Sequence, residues 1–224
     1  MPANSSTQTF RVLHEAAAGT QPMDVERLWS IPRVGAPVPA PGGSHLAVPV
    51  GTFSMEENRG ASRLWLVPTG GGKPRPLTSS DRHASQPAFS PGGGRMAFVA
   101  RPADDPKAPA QRHVLPLLGG EAECVTDMPL SVFDPTWLPD GSGLIFGAWL
   151  YEEHADVEGT RAEAERRKDE PYTVHATEDR FYRFWDQWVQ GGTLAHLFHL
   201  DLATGDVRDL MPGSRLWFNW MDPS

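Results

Sequence analysis

Short apolar runs alternate along this chain with breaks rich in glycine and proline, and both recur in a fixed order. Three stretches share one pattern: Pro37 to Val48 (PVPAPGGSHLAV), Pro87 to Phe98 (PAFSPGGGRMAF) and Pro135 to Phe146 (PTWLPDGSGLIF). In each, one proline precedes a second by four positions, turn residues follow, and a small apolar strand comes next; the spacings are 50 and 48 residues. A second pattern keeps the same step, because Leu66 to Thr78 (LVPTGGGKPRPLT) pairs with Val114 to Thr126 (VLPLLGGEAECVT). Leu197 to Leu210 (LFHLDLATGDVRDL) has the same strand, tight turn and strand, but arrives late because residues 150 to 192 are inserted ahead of it.

Each unit therefore reads as four short antiparallel strands joined by tight turns. Four strands in about 48 residues is the signature of radial repetition, in which no unit buries its own faces and its neighbours must do so. Successive apolar positions such as Met96-Ala97-Phe98-Val99 suit a sheet covered on both sides. The expected fold is all-β: a partial β-propeller of about three to four four-stranded blades, with repeats near 37–78, 87–126 and 135–210. Residues 1–21 form an N-terminal tail to a propeller spanning 22–224, and the last repeat contains a partly helical insert at about 150–192.

Within the insert, Ala162 to Glu170 (AEAERRKDE) is a charged run of helix formers, and the aromatics Phe181, Tyr182, Phe184, Trp185 and Trp188 follow. Packing is the expected role of Trp185 and Trp188, with a partner or domain contact as the other reading. Asp186 stands among them, and a structural salt bridge to Arg180 or Arg183 is its expected role.

Composition supports this picture. Glycine and proline number 22 each and only 21% of residues are charged, which suits short strands and many turns over long helices. The net charge of −8 leaves no cationic excess for phosphates or anionic lipid, so neither nucleic acid nor a membrane is an expected partner. The first residues lack the apolar core of a signal peptide, and a lone Cys124 agrees with a reducing compartment, so a cytoplasmic location is expected. Cys124 itself reads as a small strand hydrophobe. His196 and His199 lie three apart in a strand and so point to opposite faces; no metal and no cofactor are expected.

The segments SPGGGRMAF, LPDGSGLIF and LWLVPTGGGKPRPLT resemble the TolB-like propeller repeat. More specific are MDVERLWSIPRVG (23 to 35), MEENRGASRLWLVP (55 to 68), TDMPLSVFDPTWLPDG (126 to 141) and EDRFYRFWDQW (178 to 188). From about residue 22 onward, these together resemble the amino-terminal propeller of bacterial acylaminoacyl peptidases and dipeptidyl aminopeptidases of the prolyl oligopeptidase family. The first two repeats depart from that pattern, with Pro-Gly-Gly where the family usually has Pro-Asp-Gly, which implies looser turns.

The resemblance implies a propeller of seven or eight blades that caps an α/β-hydrolase domain and restricts entry to short peptides. This chain would be the noncatalytic, substrate-gating portion of a serine peptidase acting on short or N-terminally blocked peptides. It has no G-x-S-x-G pentapeptide, the strained elbow that exposes the nucleophilic serine, so no catalytic residue is assigned and the chain is expected to be inactive alone. It also stops where the family begins another blade and so reads as truncated. The expected partners are peptides and either the hydrolase domain of a parent peptidase or another copy of the chain. A free-standing TolB-like module that binds a protein or itself is the alternative.

Tyr151-Glu152-Glu153 resembles the Trp-x-Tyr-Glu-Glu segment by which dipeptidyl peptidases of this superfamily hold a substrate amino terminus. Two carboxylates can grip one ammonium through charge-assisted hydrogen bonds, although a solvated acidic turn is the commoner explanation of such a segment. Glu56 and Glu57 form a similar pair, but they fall in a segment expected to be a structural loop.

Overall fold

The computed structural model describes residues 23–168, 170, 183–184, 187–188 and 192–216. The N-terminal tail, Arg180, Phe181, Tyr182, Trp185 and Asp186 lie outside the described residues, and Trp188 is described by its backbone alone. The salt bridge expected of Asp186 therefore also lies outside them.

Three antiparallel sheets follow one another along the chain. The first comprises β1 (Arg33–Val34) and β2 (Val38–Pro39), both on β3 (His45–Ser54), then β4 (Arg59–Pro68) and β5 (Arg75–Pro76). The second runs β6 (Arg82–Phe89), β7 (Arg95–Pro102), β8 (Gln111–Pro116), β9 (Glu123–Cys124). The third runs β10 (Val132–Trp137), β11 (Gly143–Tyr151), then β14 (Thr193–Asp201) and β15 (Val207–Asp209). Between β11 and β14 lie helix α2 (Val157–Lys168) and a two-stranded ladder of β12 (Arg183–Phe184) with β13 (Gln187–Trp188).

Strand β6 touches β2, β3 and β4 on one side and β10 on the other, so the opening strands of consecutive sheets are neighbours. That is radial stacking, and the all-β partial propeller is what the repeat predicts. The blades start a few residues ahead of the prolines that mark the repeat, because the opening strand begins before its proline and breaks at it. Register slips between Ser85 and Ala88 and between Phe133 and Thr136, just where Gln86 and Asp134 take φ of 50° and 49°. The same break in the first blade separates β1 from β2 at Pro37.

The apolar cores lie between blades. Ala47 and Leu64 of the first pack with Ala84, Met96, Phe98, Ala100 and Leu115 of the second. Ala97, Val99 and Val114 of the second pack with Leu144, Phe146, Phe198 and Leu200 of the third. Full burial of each large apolar side chain contributes roughly 1.5–3 kcal/mol, and most of it depends on the neighbouring sheet.

The repeat also fixes polar contacts. Thr78 Oγ1 accepts from the Leu64 amide at 3.0 Å, and 48 residues on Thr126 Oγ1 accepts from the Arg112 amide at 2.9 Å. Leu64 and Arg112 are thus equivalent positions. Leu77 and Val125 donate to their carbonyls, and in the third blade Leu210 donates in the same way to Leu197. Leu64 and Arg112 are 0% exposed, each covered by the following blade, whereas Leu197 is 46% exposed. Among the described residues no blade covers that trailing face.

Arg112 is an unusual filler for such a position. Its Nη2 donates to the Phe133 carbonyl at 2.8 Å and its guanidinium stands 5.5 Å from the Phe146 ring centre, but Nε and Nη1 have no partner. Burial pushes its pKa down to about 9.

Gly43, Gly93 and Gly141 occupy one place in the three proline turns, each with φ near 70° and an amide donating back three residues. Only the third turn has the aspartate: Asp140 accepts from the Ser142 amide at 3.0 Å and its hydroxyl at 2.7 Å. A short helix α1 (Val25–Ser30), capped by Asp24, precedes the first blade and buries no residue; the repeat does not foresee it. Cys124 lies in β9, a strand residue as expected, and is exposed because β9 is the outermost strand of its blade. His196 and His199 do face opposite sides: His196 is buried, between the Asp209 carboxylate at 2.8 Å and the Ser214 carbonyl at 2.9 Å. No described helix is long and apolar enough to cross a membrane.

Candidate functional site

Strand β11 delivers Tyr151 to the end of the third blade, where it pairs with Thr193. Beyond it the chain turns sharply: the amides of His154 and Ala155 both donate to the Tyr151 carbonyl, and Ala155 adopts φ 54°. Asp156 then caps α2, accepting from the Gly159 amide at 2.7 Å. Ionised aspartate at a helix start satisfies free amides and opposes the positive end of the helix dipole.

Helix α2 has no apolar stripe, and its buried residues are Thr160 and Glu163. Thr160 Oγ1 accepts from the Tyr151 amide at 3.0 Å, fastening the helix to the strand end. Glu163 binds Arg166 at 2.7 Å and Arg167 at 2.6 Å, and these two hydrogen-bonded guanidinium groups hold its carboxyl down to about 2. Arg167 in turn lies over the Tyr151 ring, 4.0 Å from its centre, and Arg161 reaches Asp127 at 3.2 Å. Gly159 lets α2 approach closely, since a Cβ there would meet His154 Cβ at 2.6 Å.

The result is a hydrogen-bonded shelf under an exposed tip. Glu152 and Glu153 are exposed, and no described group bonds their carboxylates, while the Glu152 amide is tied to the Gly192 carbonyl. The structure therefore brings the three residues suggested by the sequence together at one strand end. It adds Thr160, Glu163 and Arg167, whose spacing within a charged run signals a helix but not a buttress. Glu56 and Glu57 lie in the β3–β4 turn, a plain hairpin, as expected of a structural loop.

Ligating atoms of Glu153, His154 and Glu163 come within 4.8 Å of one another, a grouping that residue spacing does not reveal. Glu163 is already committed to two arginines, so a cation there would have to displace them. Chemically the exposed part of the site offers two free carboxylates, a set suited to a primary ammonium, while the Tyr151 ring is already covered by Arg167.

Fold and site together define a partial β-propeller with an acidic tip on its third blade. Comparison with known proteins gives it a context. The chain is 27% identical over 181 residues to an uncharacterized peptidase, YuxL, of Bacillus subtilis, covering 81% of this chain and 26% of that one. It is 25% identical over 197 residues to dipeptidyl-peptidase 5 of Porphyromonas endodontalis, covering 85% and 26%. Among solved structures, the acylaminoacyl peptidase of Pyrococcus horikoshii superposes with a TM-score of 0.56 at 16% identity, over 80% of this chain and 25% of that one. No family model matches. The chain is thus a partial propeller similar to part of proteins named as peptidases, and it spans about a quarter of the length of the curated relatives it matches.

Proposed function

We propose that this propeller portion gates the entry of short peptides to a serine-peptidase centre on an α/β-hydrolase domain, and that Tyr151, Glu152 and Glu153 receive the peptide's amino end. The observation that carries the reading is the pair of carboxylates left without partners at a strand end that α2 and Thr160 hold in place. An ordered backbone lowers the entropy lost on capture, and two ionised acceptors favour an ammonium over a blocked nitrogen. The relatives named as peptidases support the substrate class.

Binding of alanyl-alanyl-alanine amide and of its N-acetylated form, measured by calorimetry, tests this. The free amine is expected to bind at least about tenfold more tightly, and Glu152→Gln with Glu153→Gln to abolish the difference, since a charge-assisted hydrogen bond contributes about 1.5–3 kcal/mol. Equal affinity for both peptides would refute the role of the acidic pair.

A further inference from the structure

A second polar site lies at the same end of the propeller. Arg59 opens β4, Arg82 opens β6 and Arg101 stands near the end of β7, and all three line a cleft of about 610 Å³ where the first two blades meet. Strands β7 and β11 are equivalent in the repeat, so this cleft and the Tyr151 tip share one end of the blades.

The arginines are positioned and outnumber the carboxylates of the cleft. Arg82 Nη1 lies 2.6 Å from His113 Nε2, and since a guanidinium only donates, the imidazole accepts. The proton of His113 is then on Nδ1, which faces the Gln111 carbonyl at 3.2 Å. The ring is buried and stacked on Phe98 with centroids 5.4 Å apart, so a neutral, fixed imidazole holds the head of Arg82. Arg101 is steadied by the Pro106 carbonyl at 3.0 Å. None of the three arginines forms an ion pair. Asp81 and Asp104 also line the cleft, and Asp81, which accepts from Ser79, acts on Arg82 through its charge without forming an ion pair, so three guanidinium groups stand against two carboxylates. The concentration of cations reaches the neighbouring rings: burial first, then Arg82 and Arg112, push the His113 pKa down, and burial and Arg101 do the same at His83.

Unpaired guanidinium groups presented together in a concave site are suited to an oxyanion, which they can hold through paired N–H donors. We propose that this cleft binds the carboxylate of a peptide, with Arg82 and Arg101 as the principal donors and Arg59 at its rim. The choice of a peptide rests on the gating reading; the oxyanion chemistry does not.

N-acetyl-trialanine and N-acetyl-trialanine amide separate this site from the acidic tip, because neither peptide carries a free amine. Calorimetry on the whole chain is expected to show the acid binding about tenfold or more tightly than the amide. Arg82→Gln and Arg101→Gln should each remove most of that preference. Arg59→Gln, at an exposed position without partners, should reduce it without disturbing the fold. Equal binding of acid and amide, or no binding of either, would overturn the proposal. So would binding of inorganic phosphate unaccompanied by binding of the acid peptide, since that marks a site for free oxyanions only.

Discussion

The Asp134 amide donates to Gln86 Oε1 at 2.9 Å, across 48 residues and between two blades. The two residues hold the same place in successive repeats: each sits at the break of its opening strand, before a proline, with φ near +50°. A proline cannot continue a ladder, so the strand bulges there and frees an amide, which the side chain of the preceding blade takes up. Replacing Gln86 with alanine is expected to cost about 1 kcal/mol at this exposed bond, read as a lowered midpoint in urea unfolding.

Thr78 and Thr126 share one contact and differ in another. Each accepts from a buried amide, so Thr78→Val and Thr126→Val keep the shape and orphan a donor, and Thr126 also donates to Gln111 Oε1 at 2.8 Å. A loss of about 1–3 kcal/mol is expected from each, the larger at Thr126. A neutral result at either would contradict the equivalence.

Gly147 faces Phe133, and a Cβ there would run into the ring of Phe133. Gly147→Ala is expected to cost at least about 1–3 kcal/mol through displacement of that ring, detected by thermal unfolding. The accompanying loss of the Phe133–Trp149 contact, now 5.1 Å between centroids, should change tryptophan fluorescence.

The shelf beneath the acidic tip should respond to acid. The folded Glu163 carboxyl titrates near 2, below its ordinary 4.5, so its contribution is complete above about 4.5 and disappears as pH falls toward 2. Helix signal and hydrogen exchange at α2 are expected to show loosening in that window. In Glu163→Gln the window should be absent and the helix looser at neutral pH.

The uncovered trailing face leads to a prediction about association. Leu197 is exposed where Leu64 and Arg112 are buried, and Trp149, Leu210 and Leu216 are exposed in the same part of the chain. Sedimentation of the isolated chain is expected to show self-association, and Leu197→Glu to weaken it. A monomer at all concentrations would refute this.

The blades were readable because their punctuation is chemical: proline breaks a strand, and glycine takes the positive φ of a tight turn. Pro91 and Gly93 announce a hairpin without reference to anything distant. The buttress was not readable, because Thr160 and Glu163 are buried by hydrogen bonds and ion pairs and leave no apolar period on α2. Arg112 was hidden for the opposite reason: an arginine occupies a position where the equivalent residue is leucine, and the Thr126 and Val125 contacts reveal the match. The arginine cleft combines residues from five strands, a juxtaposition that the fold creates.

Strands β11 and β14 pair without a slip from Gly143 with Asp201 to Tyr151 with Thr193, although residues 152–192 lie between them. The excursion thus leaves and returns through a gap one strand spacing wide, about 5 Å. Because loop-closure entropy grows only with the logarithm of length, the blade is nearly indifferent to what is threaded through that gap. The third blade therefore has an opening in its own backbone at which selection can lengthen, shorten or exchange the excursion without renegotiating the fold.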